Sequence, residues 1–338
     1  MSLAAARKEA AAVMYAVHEG KDPAADKVRA RAEARAASAD TLEAIVAEFF
    51  RRESPRLRSA PKWQRDLERA VLPVLGRRPI ADIGRRDIVR LLDKIEDESG
   101  ASAADIALSI VRRVMNWHAA RSDDFRSPIV RGMTRCRPSD HARSRILNDN
   151  EIRAVWRAAN SMQGPFGHYV KFLLLTASRR NEAAHLRWRE VVGTDWTLPA
   201  ARNKTKVDLA RPLSAAALAV LAKVVPRIAG SDFVFSADGR RLGGMARRKR
   251  EIDEASGVTG WTLHDLRRTA RSLMSRSGVP SEHAERCLGH VIGGVEGVYD
   301  RHQYRSEMLI AYEKLATLIG QIVDPQPNVV ALQSRSGP

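Results

Sequence analysis

The apolar residues between positions 40 and 125 recur every three or four residues, which is the spacing of amphipathic helices. The pattern is clearest in TLEAIVAEFFRR, RRDIVRLLDKIED and ADIALSIVRRVMNWHAA. Because residues at this spacing share one helical face, each stretch predicts a helix that buries that face in a core. The predicted buried positions are Leu42, Ile45, Val46, Phe49 and Phe50, then Ile88, Leu91, Leu92 and Ile95, then Ile106, Ile110, Val111, Met115 and Trp117. We therefore predict a small all-helical domain over residues 40–125.

This periodicity stops between residues 126 and 145. Pro128, Gly132 and Pro138 interrupt the pattern, so the stretch is predicted to be an extended linker between two domains. It is also strongly basic, with arginines at Arg126, Arg131, Arg135, Arg137, Arg143 and Arg145. A cationic linker can follow a phosphate backbone, but a solvated connector explains the same charges equally well.

A second domain is predicted over residues 146–320. Asn148 and Glu151 have the spacing of a capping box, which marks the start of a helix. The apolar stripe of that helix is Ile152, Val155, Trp156 and Ala159. The nearly apolar YVKFLLLTA predicts a buried central helix, and WTLPAARNKTKVDLARPLS predicts two short strands around a polar turn. Further helices are predicted at 214–225, 243–255, 263–278, 281–288 and 305–320. The predicted fold class is therefore mainly α with a small antiparallel β-sheet.

The ends of the chain fall outside these domains. Residues 1–39 are rich in alanine, arginine and lysine, and they predict a helix that is broken at Gly20 and Pro23. Residues 321–338 are predicted to form a flexible tail.

Composition narrows the class of protein. Apolar residues make up 44% of the 338 positions, and the mean hydropathy is -0.33, which is typical of a soluble globular protein. No apolar run approaches the roughly 20 residues that span a bilayer, and the N-terminus lacks the apolar core of a signal peptide. Cys136 and Cys287 lack metal-ligand spacing, so we expect a cytoplasmic protein with neither disulfides nor a metal site.

The charge balance indicates a polyanionic partner. Lysine and arginine number 57 against 40 aspartate and glutamate, which gives a net charge of +17 at pH 7. For a soluble protein this excess most often indicates nucleic acid, although an arginine-rich proteome would also produce it. The stretch TLHDLRRTARS, residues 262–272, places a histidine and three arginines at the start of a predicted helix, where positive side chains oppose the helix dipole. We expect a negative group among them.

Four separated stretches carry candidate catalytic side chains: TASRRNEAAHLRW, the predicted hairpin, TLHDLRRTA and LGHVIGGVEGVYDRH. Each has a common structural explanation when taken alone, such as a solvated helix end, a solubilising lysine, a core histidine or a half-buried tyrosine. Their order and spacing together carry the argument. In chain order the candidates are Arg179, Lys204, His264, Arg267, His290 and Tyr299.

In order and spacing these residues resemble the tyrosine recombinases, the phage-integrase family. The matching features are Arg-x-x-Glu after a buried helix, a β-turn lysine eight residues before Pro-Leu-Ser, His-x-x-Arg, Leu-Gly-His and Val-Tyr-x-Arg. The resemblance covers residues 40–320, and VEGVYDRHQY is similar to integrases of genomic islands and temperate phages. It implies the DNA-breaking-rejoining fold, with a helical core-type DNA-binding domain before the catalytic domain. Residues 1–39 would then be the remnant of an arm-binding region.

The resemblance also implies a reaction. In this family a tyrosine hydroxyl attacks a DNA phosphodiester, which gives a 3′-phosphotyrosyl link and frees a 5′-hydroxyl without metal, ATP or another cofactor. Tyr299 would be the nucleophile, and Arg179 and Arg267 would clamp the non-bridging oxygens of the phosphate.

The remaining candidates would handle protons and phosphate contacts. Lys204 would be the general acid that protonates the departing 5′-oxygen. His264 would be a proton acceptor or a phosphate ligand, and His290 would donate to a phosphate oxygen. Lys206 and Tyr304 are the alternatives to Lys204 and to the nucleophile, and the family's spacing disfavours both.

Arginines outside this set are candidate DNA contacts. Surface charge is the alternative for Arg180 and Arg268, and a solvated helix face explains the RRKR run at 247–250 equally well. The candidates are Arg131, Arg135, Arg137, Arg143, Arg145, Arg180, Arg247, Arg248 and Arg268.

The implied partner is double-stranded DNA that carries attachment core sites. The resemblance implies a monomer in solution that assembles as a homotetramer on two DNA sites in the nucleoid, with DNA-bending and directionality proteins as possible helpers. The last predicted helix would either dock on a neighbouring protomer or pack on its own domain. Its apolar face is Met308, Ala311, Tyr312, Leu315 and Ile319. The implied activity is integration or excision of a mobile element; a type IB topoisomerase-like enzyme and a non-catalytic DNA-binding regulator derived from an integrase are the alternatives.

Overall fold

The computed structural model describes residues 14–15, 18, 22, 40–137, 143–224, 230–290 and 302–325. The chain divides into two compact units, Met1–Ala142 (unit 1) and Arg143–Pro338 (unit 2). Most of the predicted segment 1–39 and of the predicted tail 321–338 lies outside the described residues. Within the described ranges, no helix is both long enough and apolar enough to cross a membrane.

Unit 1 is helical over its described part. Its helices are α1 (Leu42–Glu53), α2 (Ala60–Ala70), α3 (Leu72–Leu75), α4 (Arg85–Ser99) and α5 (Ala101–Ala119), with single 3₁₀ turns at Ser54–Arg56 and Ile80–Asp82. Thr41 caps α1 by accepting a hydrogen bond from the backbone N–H of Ala44 at 3.3 Å. The apolar faces predicted for α1 and α4 are buried in one core.

The face predicted for α5 was wrong at Ile106, and the predicted Trp117 is only half-buried against the core. Ile106 is 44% exposed, whereas Ile110, Val111 and Met115 are buried. At about 100° per residue, the buried stripe of α5 runs through Ala104, Ala107, Leu108, Val111, Val114 and Met115. Position 106 therefore points away from the core, and the Ile106 side chain lies on the surface.

Residues 126–137 of the predicted linker contain neither helix nor strand, and they pack on unit 1. Ile129 and Met133 contact the core of unit 1. Asp105 in α5 accepts hydrogen bonds from the backbone N–H groups of Arg135 at 2.7 Å and Cys136 at 3.1 Å. Because the Asp105 carboxylate accepts hydrogen bonds from two consecutive backbone N–H groups, it holds residues 135–136 against the helices.

Unit 2 is built around one buried helix. Its helices are α6 (Asp149–Ser161), α7 (Pro165–Thr176), α8 (Arg180–Ala184), α9 (Ala215–Ala222), α10 (Met245–Ser256), α11 (Leu263–Arg276), α12 (Ser281–Leu288) and α13 (Arg305–Val323). The capping box predicted for α6 is formed, with Asn148 and Glu151 each accepting from the other's backbone N–H at 2.9 Å. All positions of α7 except His168 are buried, and α6, α9 and α11 pack around it. Trp156 is only half-buried at the edge of this core.

A three-stranded antiparallel sheet flanks the helices, in the order β1 (Val191–Val192), β2 (Asp195–Leu198) and β3 (Leu209–Pro212). The two predicted strands are β2 and β3, which pair with Trp196 opposite Arg211. The first strand was not predicted, because two residues with an exposed Val192 carry no alternation. The long polar turn between β2 and β3 spans residues 199–208.

The last helix, α13, packs on its own unit. Its predicted apolar face is buried, with Tyr312 at 1% and Leu315 at 0% exposure. The Tyr312 hydroxyl donates to the carbonyl of Cys287 at 2.8 Å, which ties α13 to the end of α12. In this structure the face therefore packs in cis.

The contact between α6 and α7 predicts a sensitive position at Gly167. A Cβ atom built there would lie 2.0 Å from the carbonyl oxygen of Ala159, so Gly167→Ala forces two backbones apart. We expect a loss of about 1–3 kcal/mol in the free energy of unfolding, measured by urea denaturation. Gly320→Ala in α13 is the matched control, because no atom lies within 4 Å of its Cβ; it should be neutral or stabilising. Equal stability of the Gly167→Ala chain and wild type would contradict the packing of α7.

Candidate active site

Arg179 lies in the turn between α7 and α8. Ala177 makes the turn with a left-handed backbone (φ 49°), a conformation that usually selects glycine. Glu182, in the first turn of α8, then holds Arg179 twice. The backbone N–H of Arg179 donates to Glu182 Oε2 at 3.2 Å, and its Nη1 donates to Oε1 at 2.7 Å. The Arg179 side chain is 23% exposed, so its guanidinium is oriented and remains accessible.

Glu182 is shared with an arginine that the sequence analysis did not single out. Arg211 lies in β3 with 0% side-chain exposure, and its Nη2 donates to Glu182 Oε2 at 2.7 Å. Burial alone would raise the pKa of Glu182, but the positive charges of Arg211 and Arg179 outweigh burial and hold that pKa below its ordinary value. Glu182 is therefore an ionised anchor for two guanidinium groups.

Arg267 lies on the buried face of α11 and is 5% exposed. Its Nη1 donates to the carbonyl of Ala177 and its Nη2 to the carbonyl of Leu288, each at 2.8 Å. Burial, followed by the positive charges of Arg179 and Arg211, lowers the pKa of Arg267 to about 10, so the group stays charged at neutral pH. These partners are neutral carbonyls, which leave most of the charge of Arg267 available to an anion.

His290 follows α12 and contacts Arg267 directly. Its Nε2 lies 3.0 Å from Arg267 Nη2, and its Nδ1 lies 2.5 Å from Glu285 Oε2. Because a guanidinium can only donate, Nε2 accepts here and the ring proton resides on Nδ1. Arg271 donates to the other oxygen of Glu285 at 2.9 Å. Burial would raise the pKa of Glu285, but its hydrogen bonds with Arg271 and His290 lower that pKa. The ionised carboxylate then fixes the orientation of the His290 imidazole.

The cations at the start of α11 obtain their negative partners in different ways. The fully buried Asp265 caps the helix and binds Arg268 at 2.5 Å, and Arg271 binds Glu285. The chain thus supplies part of the negative charge that the sequence led us to expect. Arg267 differs from these two neighbours, because its hydrogen-bond partners are carbonyls and an imidazole.

His264 lies in the first turn of α11, at the edge of the same cluster. Partial desolvation of its imidazole, followed by the positive charges of Arg268 and Arg267, lowers its pKa below the ordinary value. Arg179 contributes in the same direction. His264 is therefore a neutral imidazole at neutral pH, which is the form that can accept a proton.

Lys204 lies on the β2–β3 turn and is exposed. The buried Asn203 shapes this turn, since its Nδ2 donates to the carbonyl of Val207 at 2.7 Å and its Oδ1 accepts from the backbone N–H of Thr205 at 3.3 Å. Lys206 has a left-handed backbone (φ 59°). The turn lines one side of a cavity of about 510 Å³, and Gly289, His290, Arg305 and Met308 line the other.

Tyr299, the predicted nucleophile, lies outside the described residues. The described chain resumes at His302, and the next residue, Gln303, lines the same cavity. Tyr304, the alternative nucleophile, is the residue before α13 and has a left-handed backbone (φ 51°). The guanidinium of Arg286 lies 3.5 Å from the centre of its ring, and His302 packs edge-on at 4.5 Å.

The predicted DNA-contacting arginines divide into two groups. Ion pairs within the chain hold Arg135 to Asp93, Arg143 and Arg268 to Asp265, Arg145 to Glu151, and Arg247 to Glu251. Arg131, Arg137 and Arg180 are exposed, and Arg248 is half-buried. An arginine that already pairs with a carboxylate loses that contact on binding a phosphate, so the second group offers the less costly contacts. In the described part of the chain, no three His, Cys, Asp or Glu side chains are grouped to hold a metal.

Both units match models of known families. The model of the phage integrase central domain matches residues 42–129, and the model of the phage integrase family matches residues 145–305. Prophage integrase IntZ of Escherichia coli K12 is 28% identical over 274 residues, covering 78% of this chain and 66% of IntZ. Prophage integrase IntA of the same organism is 25% identical over 258 residues, covering 71% of this chain and 60% of IntA. The chain thus spans less than two thirds of the length of these relatives.

Solved structures share the fold at lower identity. A dimer of lambda integrase residues 75–356 bound to a COC′ core site has a TM-score of 0.60 at 19% identity, covering 74% of this chain and 95% of that chain. A lambda integrase tetramer bound to a Holliday junction has a TM-score of 0.60 at 18% identity, covering 89% and 90%. Tn1549 transposon integrase in complex with circular intermediate DNA has a TM-score of 0.54 at 15% identity, covering 79% and 99%. The predicted fold class is confirmed.

The charge cluster predicts an acid-shifted titration for His264. Its pKa should lie below the ordinary histidine value, because desolvation and nearby arginines both disfavour the imidazolium ion. NMR titration of the imidazole measures this directly. Arg268→Gln should raise the pKa, whereas Arg247→Gln, on the exposed side of α10, should leave it unchanged. A His264 pKa at or above the ordinary value would contradict the arrangement.

Proposed function

The chain belongs to the phage integrase family, and we propose that it is a site-specific DNA recombinase that acts through a 3′-phosphotyrosyl intermediate. Its activity would be the integration or excision of a mobile element. The observation that carries the proposal is Arg267, a buried guanidinium held on two carbonyls beside Arg179. Arg179 pairs with Glu182, whereas Arg267 is held by neutral carbonyls, so the two guanidinium groups together keep a positive charge that suits a phosphate gaining charge in its transition state.

In the first step, Tyr299 Oη forms a bond to phosphorus while the bond from phosphorus to the 5′-oxygen breaks. Arg179 and Arg267 donate to the non-bridging oxygens as their charge grows. The tyrosine proton passes to His264, whose lowered pKa keeps it neutral and able to accept. Lys204 gives a proton to the departing 5′-oxygen, so protons balance across the step.

The second step reverses the first with a different DNA strand. A 5′-hydroxyl from the partner strand attacks the phosphotyrosine, returns a proton to Lys204 and releases Tyr299, which recovers its proton from His264. One phosphodiester is exchanged for another, so the reaction needs neither ATP nor a metal. Donation from His290 to a phosphate oxygen requires a proton on Nε2, the atom that faces Arg267 in the free chain.

DNA with attachment core sites is the proposed partner. A lambda integrase dimer bound to a core site and a lambda integrase tetramer bound to a Holliday junction support this choice. We extend both to this chain, as a monomer in solution and a homotetramer on two DNA sites, with DNA-bending and directionality proteins as helpers. Candidate backbone contacts are Arg131, Arg137, Arg180 and Arg248, because the structure leaves them exposed or half-buried.

A covalent adduct tests the reaction. A duplex core site nicked beside the cleavage position should trap wild type as a detergent-stable protein–DNA adduct, because the short 5′-hydroxyl fragment diffuses away before religation. Tyr299→Phe should bind this DNA and form no adduct, since it lacks the attacking hydroxyl. Tyr304→Phe is the matched control and should form the adduct normally. An adduct in Tyr299→Phe would exclude that nucleophile, and binding without any adduct in wild type would favour a non-catalytic regulator.

The role of Lys204 predicts a chemical rescue. Lys204→Ala should slow cleavage by about 10²–10⁴-fold, because the 5′-oxygen then leaves without a proton. A substrate with sulfur at the bridging 5′ position should restore the rate, since a thiolate leaves without protonation. Lys206→Ala should cleave both substrates at the wild-type rate. If Lys204→Ala stays slow on the sulfur substrate, or if Lys206→Ala shows the rescue instead, the general acid lies elsewhere.

A further inference from the structure

Arg211 is a completely buried basic side chain near the site. It lies in β3, its side chain is 0% exposed, and it is among the largest fully buried residues of the chain. One of its five donors reaches a carboxylate, through Nη2 to Glu182 Oε2 at 2.7 Å. Its guanidinium lies 4.9 Å from the centre of the Trp196 ring on the neighbouring strand. Within the described residues, its Nε and Nη1 are buried without a hydrogen-bond partner.

Burying such a residue lowers the stability of the folded state. Taking a guanidinium out of water is costly, and two buried donors without acceptors add to that cost. The cation–π contact with the ring of Trp196 offsets only part of the free energy lost on burial. Leu213, two residues further on, is buried on the same side, so an apolar residue at 211 would satisfy the packing more cheaply. The reason for an arginine here lies in what it does to Glu182.

Glu182 has two oxygens, and each serves a different arginine. Oε1 receives Nη1 of Arg179, and Oε2 receives Nη2 of Arg211 together with the backbone N–H of Arg179. With Oε2 fixed from the sheet, the carboxylate cannot rotate, and Oε1 holds the Arg179 guanidinium in one orientation. Arg211 thus connects β3 to an arginine of the proposed phosphate clamp.

The same contact changes the charge of the pocket. Arg179, Arg211 and Arg267 lie close enough to influence one another, and Glu182 is the carboxylate they share. One negative charge against three positive charges leaves the cluster with a net charge of +2 before DNA enters. A buried charge is screened little by water, so Arg211 contributes to the field at the phosphate without touching it.

We infer that Arg211 is a positioning residue for strand transfer: it holds Glu182, and through it Arg179, and it supplies a buried positive charge behind the phosphate pocket. This inference rests on the proposed function of the same site. It assigns a role to a residue that has no access to DNA.

The test is the single-turnover rate of adduct formation on the nicked core site, measured across pH. Arg211→Met keeps the length and the apolar stem of the side chain and removes the charge. We expect its rate to fall roughly 10- to 100-fold, the scale of a small misplacement of a reacting group. Binding to the same DNA should change far less. Arg276→Met is the matched control, since it removes an exposed arginine paired with Asp149 in the same unit, and it should retain the wild-type rate.

The pH profile separates positioning from loss of structure. Arg211 lowers the pKa of Glu182, so its removal raises that pKa, and Glu182 becomes protonated at a higher pH as the solution is acidified. The acid limb of the rate profile should therefore move to higher pH in Arg211→Met. Arg211→Lys keeps the charge but not the planar fork, so it should restore the acid limb and only part of the rate.

A second variant guards against a chain that folds poorly. Arg211→Met/Glu182→Gln removes both charges of the buried pair, so no uncompensated carboxylate remains. It should fold, remain slow and lose the acid limb that belongs to Glu182. A wild-type rate in Arg211→Met or in the double variant would overturn the inference, and so would a slow rate with an unshifted pH profile. Absence of the adduct in wild type would overturn the proposed function and the inference together, which distinguishes the two failures.

Discussion

The hydrogen bonds from Arg267 to the carbonyls of Ala177 and Leu288 are the constraint on which the site depends. They join the end of the buried helix α7, the face of α11 that carries Arg267 and the end of α12. Arg179 and His290 lie two residues further along these segments, so one guanidinium sets the distance between two predicted phosphate ligands. Because carbonyls are neutral, they orient Arg267 without cancelling its charge. The cluster is therefore rigid, and it keeps a positive charge, as a site for a negatively charged transition state should.

The fold provides this arrangement by packing rather than by local sequence. α7 is buried on nearly all sides, so its end cannot shift, and the left-handed Ala177 turns the chain immediately into the Arg179 segment. The sheet supports the same segment from beneath through Arg211 and Glu182. The turn that carries Lys204 is shaped by side chains of its own residues: Asn203 bonds to Val207 and Thr205, and Asp208 accepts from the backbone N–H of Ala200 at 2.5 Å. The two arginines of the predicted clamp are therefore held by several contacts, whereas Lys204 lies on an exposed turn.

Much of the fold could be predicted from the sequence, because helical periodicity reports burial directly. The faces of α1 and α4, the capping box of α6 and the hairpin of β2 and β3 all follow from local spacing. The exposure of Ile106 and the two-residue strand β1 could not be predicted in this way, because one or two apolar residues do not show a repeating pattern. Arg211 alternates with Leu209 and Leu213, a pattern that places it on an inward face, but an arginine was not expected to be buried there.

The residues of the site were predicted from the sequence, but their contacts were not. The six candidates came from a family resemblance, which gives positions and roles but no geometry. The ion pairs of Arg135 with Asp93 and of Arg143 with Asp265 join residues far apart in sequence. No local sequence pattern predicts such pairs. They determine which of the basic side chains proposed to contact DNA are not already bound to a carboxylate.

The most direct test of the account is a structure of the protein with core-site DNA and vanadate, an ion that adopts the five-coordinate geometry of the phosphate in transfer. We predict vanadium between Tyr299 Oη and the 5′-oxygen, with guanidinium nitrogens of both Arg179 and Arg267 within about 3.2 Å of its equatorial oxygens. Vanadate bound at this cleavage site with Tyr299 out of reach, or with Arg267 still bound only to its two carbonyls, would contradict the account.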